Sequence, residues 1–188
     1  MRILFCLFSI ASISATERRP VVEVYFPPVT GPLRHAMDQA RGITSQIYDR
    51  VGIHLTWRVL KGDIGCSMER GQIVINVSFR TAASEHPGAL AISYPGAGGS
   101  CVTIFGDRIE PMAAANPRKT AALLGHVLAH ELGHVLQGIA RHSDSGVMKA
   151  RWTQSEIRTM SVEPLLFNDD DAALLRQASW FVKQTALN

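Results

Sequence analysis

Residues 116–138 restrict the fold more tightly than any other stretch of the chain. Asn116-Pro117 offers a capping side chain and then proline at the first helical position. Gly138 supplies a left-handed stop, so one helix is predicted from there to about Gln137. Thr120–Ala140 is apolar enough to resemble a bilayer span, yet it holds His126, His130, Glu131 and His134. Ionisable side chains inside a span are costly, so this helix is read as part of a folded domain. No membrane span is expected.

The chain around that helix has 188 residues, 46% of them hydrophobic and 19% charged, which suits one domain with a real core. Such a composition excludes a disordered tail, a collagen-like repeat and a disulfide-dense miniprotein. Val21–Phe26 alternates and stops at Pro27-Pro28, as a strand does. Apolar residues from Leu33 to Val51 then recur at helical spacing, with Gly52 as a stop. Further strands are predicted at Ile53–Leu60, Gln72–Phe79, Ala89–Tyr94 and Cys101–Phe105, separated by glycine-rich turns at 61–65 and 95–99. A last helix is predicted from Asn168 or Asp169 to about Lys183. The order β-α-β-β-β-β-α-α predicts an α+β domain with a four- to five-stranded mixed sheet, an N-terminal helix, the 116–137 helix and a C-terminal helix.

Lys and Arg number 19 against 16 Asp and Glu, a formal +3, with no basic run longer than Arg18-Arg19 or Arg118-Lys119. That balance gives no argument for a nucleic-acid partner. Residues 1–15, MRILFCLFSIASISA, place Arg2 before an apolar run that ends in small residues. This is the pattern of a secretory signal peptide cleaved after Ala15 or Ser14, and it is read in preference to a buried N-terminal strand or helix. The apolar run is too short to span a bilayer. Export, to the periplasm or outside the cell, is therefore expected, with residues 16–188 as a single monomeric domain. Cleavage removes Cys6 and leaves Cys66 and Cys101. An even pair in an exported chain reads as one disulfide, the alternative being two buried thiols.

His130-Glu131-Leu132-Gly133-His134 is the strongest chemical signal. Residues four apart on a helix share one face, so both imidazoles can chelate one Zn²⁺, and Glu131 can act as a general base beside them. With 7 His and 8 Glu in 188 residues, chance would supply roughly 0.01 such patterns, which favours a functional origin. His126 lacks a companion glutamate and reads as a core or supporting histidine. A catalytic zinc needs a third protein ligand and an open position. His142, beyond the Gly138 turn, is the first candidate, with Asp144, Glu156 and Glu163 as acidic alternatives. Glu156 also reads as a first-turn acid after Thr153.

His130, Glu131 and His134, with a turn-making glycine, a third histidine and Ser145-Gly146-Val147-Met148, resemble the metzincin group of zinc endopeptidases. The likeness covers most of the mature chain and is nearest to small exported bacterial members. It implies that Met148 lies beneath the metal in a Met-turn, although a plain core methionine has the same sequence. The common signature places glycine three residues and the third histidine six residues after the second ligand. Here Gly138 is four and His142 eight residues after His134, so the turn is two residues longer. No tyrosine follows Met148 in the turn. The resemblance implies a zinc-dependent endopeptidase: His130, His134 and His142 as ligands, Glu131 as base, and a peptide or protein substrate laid along the Ala89–Tyr94 edge with the 95–99 rim. Tyr94 is a weak candidate for the oxyanion donor. The alternative from another class is a catalytically inactive, zinc-stabilised binding module of the same fold. An inhibitor or adhesion protein is a third reading.

Overall fold

The structure is a computed structural model that describes residues 20–60, 72–82, 84, 86–96 and 99–178. The expected signal peptide, the 61–65 turn and Cys66 lie outside the described residues. The order is β1 (Val21–Phe26), α1 (Gly31–Asp49), β2 (His54–Val59), β3 (Ile73–Ser78), β4 (Ala91–Gly96), β5 (Gly99–Phe105), α2 (Gly106–Ala115), α3 (Pro117–Gln137), α4 (Gln154–Thr159) and α5 (Asp169–Gln177). The predicted α+β class holds.

Five strands form one mixed sheet in the order β2-β1-β3-β5-β4. Neighbours run parallel except β4, which pairs antiparallel with β5 and forms one edge. The hairpin register, Tyr94 opposite Cys101 and Gly96 opposite Gly99, extends β4 two residues past its predicted end at Tyr94. Alternation along β1 buries Val22, Val24 and Phe26 on one face. On the other face, Glu23 accepts from Arg58 at 3.0 Å and from the Tyr25 hydroxyl at 2.9 Å.

The core lies between the sheet and the pair α1 and α3. Leu33, Met37 and Ile47 of α1 meet Leu124 and Leu128 of α3 over Val24, Ile75, Val102 and Ile104. Two buried hydrogen bonds tie the helices together: Thr44 Oγ1 donates to the Gly125 carbonyl at 2.9 Å, and the Tyr48 hydroxyl to that of Ala129 at 3.0 Å. Burial pushes the Tyr48 phenol well above its usual pKa, so it stays a donor. The Ala129 bond fixes α3 immediately before His130.

Three helices depart from the prediction: α2 and α4 add to the predicted order, and α5 differs in its end. α2 was not expected, because Gly106 and Pro111 both disfavour a helix. Burial of Ile109 and Ala113, four apart on one face, overrides that propensity. α5 stops at Gln177, where Ala178 turns extended (φ −58°, ψ 129°); the predicted stretch from 179 to Lys183 lies outside the described residues.

Candidate metal centre

α3 begins and ends where its sequence signals stand. The Asn116 side chain accepts from the Lys119 N–H at 3.1 Å, and Gly138 takes the left-handed conformation at φ 68°. The chain can therefore reverse immediately after the motif. His130 and His134 leave one face of the helix, 9% and 7% exposed, with ring centroids 4.7 Å apart. His142 returns from the loop to face both, at 5.2 Å from His130 and 5.0 Å from His134, and its side chain is exposed. One ligand nitrogen from each ring lies within 4.8 Å of the others, so the three can hold a metal ion. The two-residue extension of the turn does not prevent convergence.

The tautomers can be read from the backbone. His130 Nδ1 lies 2.9 Å from the Val147 carbonyl and His134 Nδ1 lies 3.0 Å from that of Ile139. A carbonyl only accepts, so both Nδ1 atoms carry the proton and both Nε2 atoms present lone pairs. Those Nε2 atoms are 3.1 Å apart with no proton to share. Two lone pairs at that distance repel, and a cation between them removes the repulsion. Tetrahedral Zn²⁺ with bonds of ~2.05 Å would set two ligand nitrogens ~3.3 Å apart, so the donor set fits such an ion. Burial also lowers the pKa of both rings. For His130, the Val147 and Asp171 interactions oppose that shift and His142 adds to it. For His134, the neighbouring His130 adds to it. Both therefore stay neutral, the form that ligates metal.

Glu131 is turned toward the sheet edge. Burial raises its carboxyl above the ordinary range, partly offset by a hydrogen bond from the Ser93 side chain and by His134 and His142. Ser93 sits on edge strand β4 and marks the side from which Glu131 is met. Strand alternation turns Tyr94, 56% exposed, to the opposite side.

Val147 and Met148 pack beside the motif helix. The Val147 carbonyl accepts from His130, its N–H donates to Leu166 at 2.9 Å, and the Met148 carbonyl accepts from Ser143 N–H at 2.9 Å. Met148 is fully buried, and its sulfur lies 2.5 Å from where a Cβ on Gly133 would stand. Gly133, inside the motif, is what lets that sulfur pack against the helix.

Other candidates are placed elsewhere. Asp144 and Glu163 are exposed, Glu156 is half-buried, and all three lie outside the converging group. Glu156 completes a capping box with Thr153 and pairs with Lys149 at 2.8 Å, consistent with its reading as a first-turn acid. His126 is fully buried and satisfied, with Nδ1 2.7 Å from the Ala122 carbonyl and Nε2 accepting from Leu165 N–H at 2.9 Å. Cys101 is 5% exposed in β5, and its expected partner Cys66 lies outside the described residues. Three residues near the centre gave no sequence signal: Ser93, Trp152 and Asp171. The Trp152 ring stands edge-on to His130 at 5.9 Å. Each is an ordinary residue type far from the motif, and only the fold brings it close. Among the described residues, no helix is long and apolar enough to cross a membrane.

No protein-family model matches the chain, and no curated protein matches it. Among solved structures it is similar to metalloproteinase-II from Bacteroides fragilis, at 10% identity and a TM-score of 0.49. The similarity covers 87% of this chain and 54% of that one, so the chain spans about half the length of that protein.

Proposed function

We propose that the protein is an exported zinc-dependent endopeptidase of metzincin type. The observation that carries the reading is the pair of Nε2 lone pairs facing each other at 3.1 Å, closed by His142 and flanked by a part-buried glutamate that takes no part in the triad. A binding module needs the three imidazoles but has no use for a desolvated carboxylate beside them.

His130, His134 and His142 would hold the ion as neutral ligands and leave one side open. Zn²⁺ there supplies the Lewis acidity that acidifies a water and polarises a peptide carbonyl. Glu131 takes the proton of the attacking water on its carboxylate and delivers it to the leaving amine. Its raised affinity for protons, a consequence of burial, suits that transfer. The Ser93 side chain, which faces the carboxylate, would help to orient it. The substrate would lie extended against edge strand β4, whose outer side pairs with no strand among the described residues and can accept another. Met148 would serve as the floor of the ligand set. The signal-like residues 1–15 support export, and a Cys66–Cys101 bridge would suit an oxidising compartment.

The test compares wild type with Glu131→Gln on unfolded protein substrates, with the metal content of each measured. Zinc retained by both and cleavage lost only in the variant is the expected result. Zinc retained with no cleavage by either would replace the protease with the binding module. A wild-type chain without zinc would remove the metal centre altogether.

A further inference from the structure

We infer that Asp171, in the first turn of α5, is the positioning residue for His142. The inference rests on the metal-site reading above and deepens it. His130 and His134 share one buried helix, and each ring is fixed through Nδ1 to a backbone carbonyl. His142 has neither advantage: it is exposed and lies on the reversed chain after Gly138. Yet both its neighbours are tied to one atom. Arg141 Nη2 donates to Asp171 Oδ1 at 2.8 Å, and Ser143 Oγ donates to the same oxygen at 2.9 Å. Two tethers on either side of a single residue remove most of the backbone freedom of the residue between them.

Asp171 is built to be a fixed point. It is 1% exposed, and its N–H donates to the Asn168 side chain at 2.8 Å. The N-terminus of α5 favours its negative charge. A buried carboxylate is costly to keep without partners, and the paired side chains here come from the His142 loop. Its second oxygen, Oδ2, has no hydrogen-bond partner among the described residues. The Ser143 N–H also donates to the Met148 carbonyl at 2.9 Å, which joins the tethered loop to the floor of the site. The third ligand is thus ordered before any metal arrives, so binding does not have to order it.

The experiment measures Zn²⁺ affinity of the full chain by chelator competition for wild type, Asp171→Asn, His142→Ala and the double variant. The stability of each metal-free form is followed by urea unfolding. Asp171→Asn should weaken Zn²⁺ binding about 10-fold, the scale of an outer partner of a ligand. The double variant should bind no more weakly than His142→Ala alone, because Asp171 acts through His142. Wild-type affinity in Asp171→Asn overturns the inference. So does a further loss on adding it to His142→Ala, which would mean that it acts through its charge on His130 or on the fold as a whole. If Asp171→Asn does not fold, Ser143→Ala, which keeps the Arg141 pair, carries the same cycle with a loss of roughly 3-fold. Failure of wild type to bind Zn²⁺ overturns the metal-site reading and this inference with it, whereas the other failures touch only Asp171.

Discussion

His130 and His134 project from one buried helix and are locked through Nδ1 to the carbonyls of Val147 and Ile139. His142 projects from an exposed loop and owes its place to Met148, Ser143 and Asp171 around it. The first pair is set by a spacing of four residues, which any helix converts into a common face. The third is set by contacts with elements that lie up to 30 residues away in the chain. One half of the centre is therefore a local property, and the other half depends on how α5 and the 145–148 turn dock.

Removing a ligand from each half is the sharpest way to break that comparison. His134→Ala should lower Zn²⁺ affinity by on the order of 3 kcal/mol, a hundredfold or more, since a buried position offers no replacement donor. His142→Ala should cost about 1 kcal/mol less, because water can enter an exposed position. Equal losses, measured by chelator competition, would show that the loop ligand is as tightly built in as the helix pair.

Two glycine substitutions extend the contrast from ligands to scaffold. A Cβ on Gly146 would stand 2.5 Å from the Leu166 carbonyl oxygen, and its φ of +74° is unfavourable to an L side chain. Backbone cannot step aside, so Gly146→Ala should destabilise the fold by about 2–4 kcal/mol and weaken metal binding as well. On Gly125 a Cβ would stand 2.8 Å from the Ile43 side chain at the crossing of α1 and α3. Gly125→Ala should lose about 1–3 kcal/mol to overpacking, partly offset by better helix propensity. Its metal affinity should stay that of wild type, because the crossing lies away from the ligands. Urea midpoints and Zn²⁺ competition on both variants decide the matter; a metal defect in Gly125→Ala would merge the two regions.

The smallest effect belongs to α4. Lys149 and the N–H and hydroxyl of Thr153 draw the Glu156 carboxyl down to about 2. A depressed pKa stabilises above the ordinary value of 4.5, and the contribution fades as pH falls through about 2. The difference in urea midpoint between wild type and Glu156→Gln should therefore be full above pH 4.5 and vanish near pH 2. A gap that widened toward acid would exclude this ion pair as its source. Zinc binding near neutral pH should not respond, since Glu156 lies outside the three-histidine group.

Much of this architecture was legible because its causes are local. The β1 alternation, the α1 periodicity and the two caps of α3 each act within a few residues, and the strands fell within two residues of their predicted bounds. The α2 helix was not legible, because its own residues disfavour helix and only burial of Ile109 and Ala113 supports it. The end of α5 was not legible either, since apolar residues continue past Gln177 while the backbone turns extended at Ala178. At the site, the motif pointed to two histidines and a glutamate on one helix. It said nothing of Ser93 beside Glu131 or Trp152 against His130, because neither residue type carries a spacing.

What the sequence alone determined is the helix with its two histidines and glutamate, since helical geometry converts spacing into direction without help from the rest of the chain. What only the tertiary structure decided is the choice among His142, Asp144, Glu156 and Glu163. All four are chemically able to ligate, and sequence distance does not measure spatial distance across a reversed chain. The docking of α5 brings a buried carboxylate against Arg141 and Ser143, and that contact places His142, not an acid, opposite the helix pair.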